Sequence, residues 1–142
     1  MKSLWIVLGT LGLLFAFYSQ AEPSKCAVCG MEVSAKSRTS YSAAKAGTPV
    51  KLCSFVCAHS FHEKFPAAKL SATDFLTGKS IPADAAYYMV KSKTLAARKD
   101  LEFEMPPPIV AFGNETEAKK FQSELKDGEI LKGFPAVEKK YE

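Results

Sequence analysis

Leu52-Cys53-Ser54-Phe55-Val56-Cys57-Ala58-His59-Ser60-Phe61 runs from a strand end through a capping serine into a helix. A short apolar run, Val50 to Leu52, leads into Ser54, a side chain suited to cap a helix. The helix then runs to about Phe65, and Pro66 ends it. Sixty residues on, Phe112-Gly113-Asn114-Glu115-Thr116-Glu117-Ala118-Lys119-Lys120-Phe121 repeats the pattern. Strand end, capping residue, helix alanine and helix phenylalanine coincide. Val50 also falls on Val110, Phe65 on Leu125 and Leu70 on Ile130. Asn114 with Glu117 makes a capping-box-like start, and Gly128 marks the stop of the second helix.

Outward from these helices, Arg38 to Ala44 alternates weakly as a strand. Ala46-Gly47-Thr48-Pro49 is a turn signal, so Val50 to Leu52 closes a hairpin. Ala68 to Phe75 reads as the next strand, and Tyr87 to Val90 and Ile109 to Phe112 supply strands to the second half. The expected fold class is therefore α+β: two similar strand-strand-helix-strand units packed together. Residues 22–80 form one unit and 81–142 the other.

All four cysteines fall in the first unit, as Cys26-x-x-Cys29-Gly30-Met31 and Cys53-x-x-x-Cys57. Thiolate, thioether and imidazole are the soft and borderline ligands for metals. Gly30 allows the tight turn that lets two nearby cysteines face one ion. Two short-spaced pairs separated by a hairpin close four thiolates in a treble-clef-like knuckle. With Ser54 as cap, Cys57 lies in the first helical turn, where free N–H groups and the helix dipole favour a thiolate. Cys53 lies just before the cap. Phe61 and Phe65 share the face of Cys57 toward the core, which puts His59 on the solvent side. His59 and His62 are read as surface histidines rather than ligands. In the second unit Cys53 becomes Gly113 and Cys57 becomes Glu117, so that unit keeps the fold elements without thiolates. Met105 precedes Pro106-Pro107-Pro108, a stiff extended segment, and is either a ligand held in place or core filler. Met89 is core.

The chain has 142 residues, enough for one compact domain or two small halves sharing a core. With 47% hydrophobic and 24% charged residues it is an ordinary globular composition. The net charge of +4 falls to +3 without Lys2, and the lysines interleave with acids, so no nucleic-acid face is expected. Lys2, an uncharged run from Leu4 to Phe17, and Ser19-Gln20-Ala21 form a secretory signal over residues 1–21. The fourteen-residue run is short for a span of roughly 17–25, so a cleaved leader is expected over an anchor. The mature protein then works in a periplasm or is exported, with no stable membrane span. The first cysteine lies nine residues past Phe17, so no lipidation is expected.

Cys26-x-x-Cys29-Gly30-Met31, Asp84-Ala85-Ala86-Tyr87-Tyr88, Met105 with its proline, Phe112, Ala118-x-x-Phe121 and Gly128-x-x-Leu131 together resemble the NosL family, accessory proteins of nitrous oxide reductase. The likeness covers nearly all of the mature chain. It implies a periplasmic Cu(I)-binding protein of two small α+β units that supplies copper for assembly of that enzyme. The family's ligands map onto Cys29, Met31 and Met105. Cys29-Gly30-Met31 with Leu52-Cys53-Ser54-x-x-Cys57-x-x-x-Phe61 is also similar to the YHS and TRASH metal modules. Cys53 and Cys57 are additional to the NosL pattern.

The expected function is a Cu(I) metallochaperone with Cys26, Cys29, Met31, Cys53, Cys57 and Met105 as its candidate ligands. Its partner is a copper-acceptor protein, nitrous oxide reductase or its assembly machinery. One alternative is a heavy-metal or structural Zn site held by the four thiolates, or a structural disulfide framework of the same cysteines. Another is thiol–disulfide exchange by Cys26 and Cys29. No Ser/His/Asp set or paired carboxylates stand at a recognisable spacing, and no enzyme is expected.

Overall fold

The computed structural model describes residues 25–101, 103 and 105–142, so the leader lies outside the described residues. In the first half, β1 (Tyr41–Lys45) and β2 (Thr48–Leu52) form a hairpin, α1 (Phe55–Lys64) follows, and β3 (Ser71–Thr73) returns to the sheet. In the second, β5 (Tyr87–Val90), β6 (Val110–Phe112), α3 (Glu115–Leu125) and β7 (Glu129–Lys132) repeat that order. The short β4 (Ser80–Pro82) and a 3-10 turn (Ala83–Ala85) lie between them. A four-residue α2 (Lys93–Ala96) sits in the long β5–β6 connection, and α4 (Phe134–Tyr141) closes the chain.

The two sheets share one topology. Their strand orders are β2-β1-β3-β4 and β6-β5-β7, so in each unit the first strand sits between the second and third. All these pairings are antiparallel, and the register agrees as well as the order. Tyr41 pairs with Leu52 and Ala72, while Tyr87 pairs with Phe112 and Lys132. The sixty-residue offset thus holds at both partner positions. The main insertion lies between β5 and β6, where a two-residue turn in the first unit becomes the stretch carrying α2.

Local chemistry explains most boundaries. The β1–β2 turn is Ala46-Gly47, with φ of 49° and 78°; two left-handed residues give the turn whose twist suits a hairpin. Pro49 lacks a ladder N–H and is accommodated because β2 lies at the sheet edge. Asn114 caps α3 through Oδ1, which accepts the Glu117 N–H at 2.9 Å.

Several expectations shift. The strand expected over Ala68–Phe75 is ordered only at Ser71–Thr73, because Asp74 and the residues after it turn. The second helix stops at Leu125, with Lys126 in the left-handed region at φ 60°, before Gly128 is reached. The backbone bends across Met105–Pro107 and the Pro106–Pro107 peptide is cis, where an extended run was expected. The helix α4 has no counterpart among the expected elements.

The main hydrophobic core belongs to both halves. It joins Tyr41, Leu52, Phe55 and Phe61 of the first to Tyr88, Val90, Phe134 and Val137 of the second. Phe134 is central: its ring lies 5.8 Å from Tyr41, 5.3 Å from Phe55 and 6.4 Å from Tyr88. A smaller cluster of Met89, Val110, Phe112, Ala118 and Phe121 lies under α3.

Candidate metal centre

Two elements bring the cysteines together. Cys26 to Met31 is a tight turn closed by Cys26 N–H to the Met31 carbonyl and by Gly30 N–H to the Cys26 carbonyl, at 2.8 and 2.9 Å. The left-handed φ of 76° at Gly30 makes this turn possible. Ala27 N–H bonds the Lys51 carbonyl at 2.8 Å, which fixes the turn to the edge of β2. The other element is the junction of β2 and α1. Ser54 caps α1 by its extended backbone alone; its side chain makes no capping bond and instead lies 3.7 Å from the Cys53 sulfur.

All four Sγ atoms of Cys26, Cys29, Cys53 and Cys57 lie within 4.8 Å of one another. Cys29 Sγ is 3.6 Å from Cys53 Sγ, which is 3.5 Å from Cys57 Sγ. A tetrahedral ion with sulfur bonds of about 2.3 Å spaces its ligands about 3.8 Å apart, so the group could hold an ion with little rearrangement. Cys26, Cys53 and Cys57 are buried and Cys29 is exposed; all four are free thiols.

The thiols are not electrostatically equal. Burial opposes the Cys26 thiolate, but backbone N–H groups of Cys29, Val28 and Cys53 aim at its sulfur and outweigh burial, bringing its pKa down to about 7. Burial pushes Cys53 up to about 11. Burial also pushes Cys57 well up, and the neighbouring cysteine sulfurs add to it. This corrects the expectation that the helix start would favour a Cys57 thiolate. Desolvation beside other sulfurs exceeds the pull of the helix dipole, and the favoured thiolate is Cys26. An ion entering the centre must therefore displace protons.

The remaining candidates lie in different surroundings. Met31 is 42% exposed at the end of the turn. Met105 is half-buried against the main core cluster, the one that includes Cys26, Cys53 and Cys57. The two histidines are not simple surface residues. Their Nδ1 atoms lie 3.0 Å (His59) and 2.9 Å (His62) from the same Glu138 Oε1, tying α1 to α4. Sequence spacing gives no sign of this, because the carboxylate comes from a helix more than seventy residues away.

A treble-clef-like turn, hairpin and helix start that gather four thiols define a metal-binding type of protein, doubled in its scaffold. The sequence matches the NosL family over residues 18–141, and the chain belongs to that family. It is a family of metal-binding accessory proteins. No curated protein matches the sequence.

Proposed function

We propose that this chain is a Cu(I) metallochaperone working in the periplasm or an equivalent compartment. It carries copper as cargo to an acceptor, for which nitrous oxide reductase or its assembly machinery is the first candidate. The observation that carries this reading is one exposed thiol, Cys29, at the lip of three buried ones. Cu(I) is soft and accepts two to four thiolate or thioether ligands. A carrier must also pass its ion on. Cys29 and the exposed Met31 stand where an acceptor's sulfur ligands can replace them one at a time. Cys26, Cys53 and Cys57 complete the proposed ligand set, and Met105 remains a candidate beside them. Membership of the NosL family supports copper over other soft ions. On this reading the protein has no turnover of its own, and residues 1–21 export it.

The spacing of the sulfurs favours one rival, a Zn ion held by all four thiolates for structure. Anaerobic titration of the reduced mature protein with Cu(I) and with Zn(II), against a competing chelator, separates the two. X-ray absorption then reads the ligands. Tight one-to-one Cu(I) binding with sulfur-only ligands, weakened by Cys29→Ser or Met105→Ala, is the expected result. Zn held by four sulfurs, with Cu(I) bound no better and Met105→Ala silent, would overturn the chaperone reading.

A further inference from the structure

The backbone frame that gathers the four cysteines is itself duplicated. In the first unit three backbone bonds define the turn: Cys26 N–H to Met31, Gly30 N–H to Cys26, and Ala27 N–H to Lys51 of β2, at 2.8, 2.9 and 2.8 Å. In the second, Asp74 N–H bonds Lys79, Gly78 N–H bonds Asp74, and Phe75 N–H bonds Ala111 of β6, each at 2.8 Å. The bridges agree too. Lys25 faces Glu32 antiparallel and Cys26 faces Lys51 parallel; Thr73 faces Ser80 antiparallel and Asp74 faces Ala111 parallel. Gly30 and Gly78 share a left-handed φ, 76° and 71°. Asp74 thus stands where Cys26 does, Thr77 where Cys29 does, Gly113 where Cys53 does and Glu117 where Cys57 does.

The chemistry at the equivalent point is just as closely matched. The amides of Val28, Cys29 and Cys53 aim at the Cys26 sulfur. Their counterparts aim at Asp74: Oδ1 accepts the N–H groups of Leu76 and Thr77 at 3.0 and 2.8 Å, and Oδ2 accepts that of Gly113 at 2.7 Å. One carboxylate therefore links the turn to the start of the helix, the same two pieces that an ion would link in the first unit. A Cβ added at Gly113 would stand 3.2 Å from Asp74 Oδ2, so a ligating side chain there and this carboxylate compete for the same space.

We propose that the second unit is a metal module in which the Asp74 carboxylate replaces the ion, and that positions 74, 77, 113 and 117 still frame a thiolate metal site. The proposal rests on reading the four cysteines as a metal centre, and its test separates the two. It also explains what the second unit contributes. Closed without any metal, that unit supports the first while cargo enters and leaves.

The test is Co(II) titration of the full mature chain and of the variant Asp74→Cys/Thr77→Cys/Gly113→Cys/Glu117→Cys, reading thiolate charge-transfer absorption. One ion per parent chain and two per variant is the expected result. No ion in the parent and one in the variant would sink the first centre and leave this proposal standing. A folded variant that binds no more than its parent would overturn it. Amide exchange of metal-free Asp74→Ala decides the matter if the four-cysteine variant does not fold. Exchange at Gly113 should rise about ten- to a hundredfold as the carboxylate bond is lost, with Cys53 unchanged. An unchanged rate at Gly113 would overturn the proposal.

Discussion

Cys26 and Asp74 sit in equivalent turns, are equally buried at 3% exposure, and each receives three backbone amides. One is a thiol grouped with three others; the other is a carboxylate. Burial opposes the Asp74 charge, but the amides of Thr77, Gly113 and Leu76 hold its pKa below the usual carboxylate range. The second turn is therefore latched at neutral pH by the chain's own charge. The first turn is closed by the same backbone bonds, and its four thiols must lose protons before an ion can tie it further to the helix start. The same backbone thus carries a carboxylate joint in one unit and a thiol cluster in the other.

The largest test of this contrast removes what the two units share. Phe134 follows β7 of the second unit yet packs on Tyr41 and Phe55 of the first. Phe134→Ala should lower unfolding free energy by about 3–5 kcal/mol in urea, in one transition sensed by both sheets. Two separate transitions, with only one displaced, would break the picture of a common core.

Cys53 and Cys57, both raised, are protonated between pH 6 and 8, so a site using both must release at least two protons. Apparent metal affinity should then rise with pH by at least about a hundredfold per unit, and more steeply below pH 7, where Cys26 also takes a proton. Asp74 behaves oppositely. Its lowered pKa contributes stability that is fully present above the ordinary carboxylate range and is lost as pH falls through its lower folded value. Potentiometric competition titrations across pH 6 to 8 check the slope; a slope near zero would mean that neither Cys53 nor Cys57 ligates as thiolate.

The smallest effect concerns the two helices. His59 and His62 of α1 correspond to Lys119 and Gln122 of α3, which bond within their own unit, to Glu115 and to the Gly128 carbonyl. Among the described residues, α1 and not α3 is clamped to α4 through Glu138. Glu138→Gln should cost about 1 kcal/mol in thermal or urea unfolding and leave Co(II) affinity within twofold. A large loss of affinity would make the clamp part of the metal centre.

Much of this is legible in the sequence wherever the signal is local. The capping residues Ser54 and Asn114 place both helices, Ala46-Gly47 places the hairpin, and the sixty-residue offset places the strands around them. The four cysteines announce their own proximity by spacing. The second turn is not legible, because replacing Cys26 by Asp74 and Cys29 by Thr77 leaves only a glycine in common. Backbone hydrogen bonds carry the likeness there, and they leave no letters. The His–Glu clamp escapes for a different reason: its parts meet only after α4 packs. The state of Cys57 is hidden because a helix start is visible in sequence and the desolvation that outweighs it is not.

The three residues of β3 pair with β1 on one side and β4 on the other, and Asp74 follows directly. The same short segment finishes one module and begins the next, with no linker to cut. A fragment ending before Ser71 loses its closing strand, and one beginning after Thr73 loses an arm of its turn. The halves are joined like conjoined twins: related in form, different in chemistry, and sharing one short strand and one core.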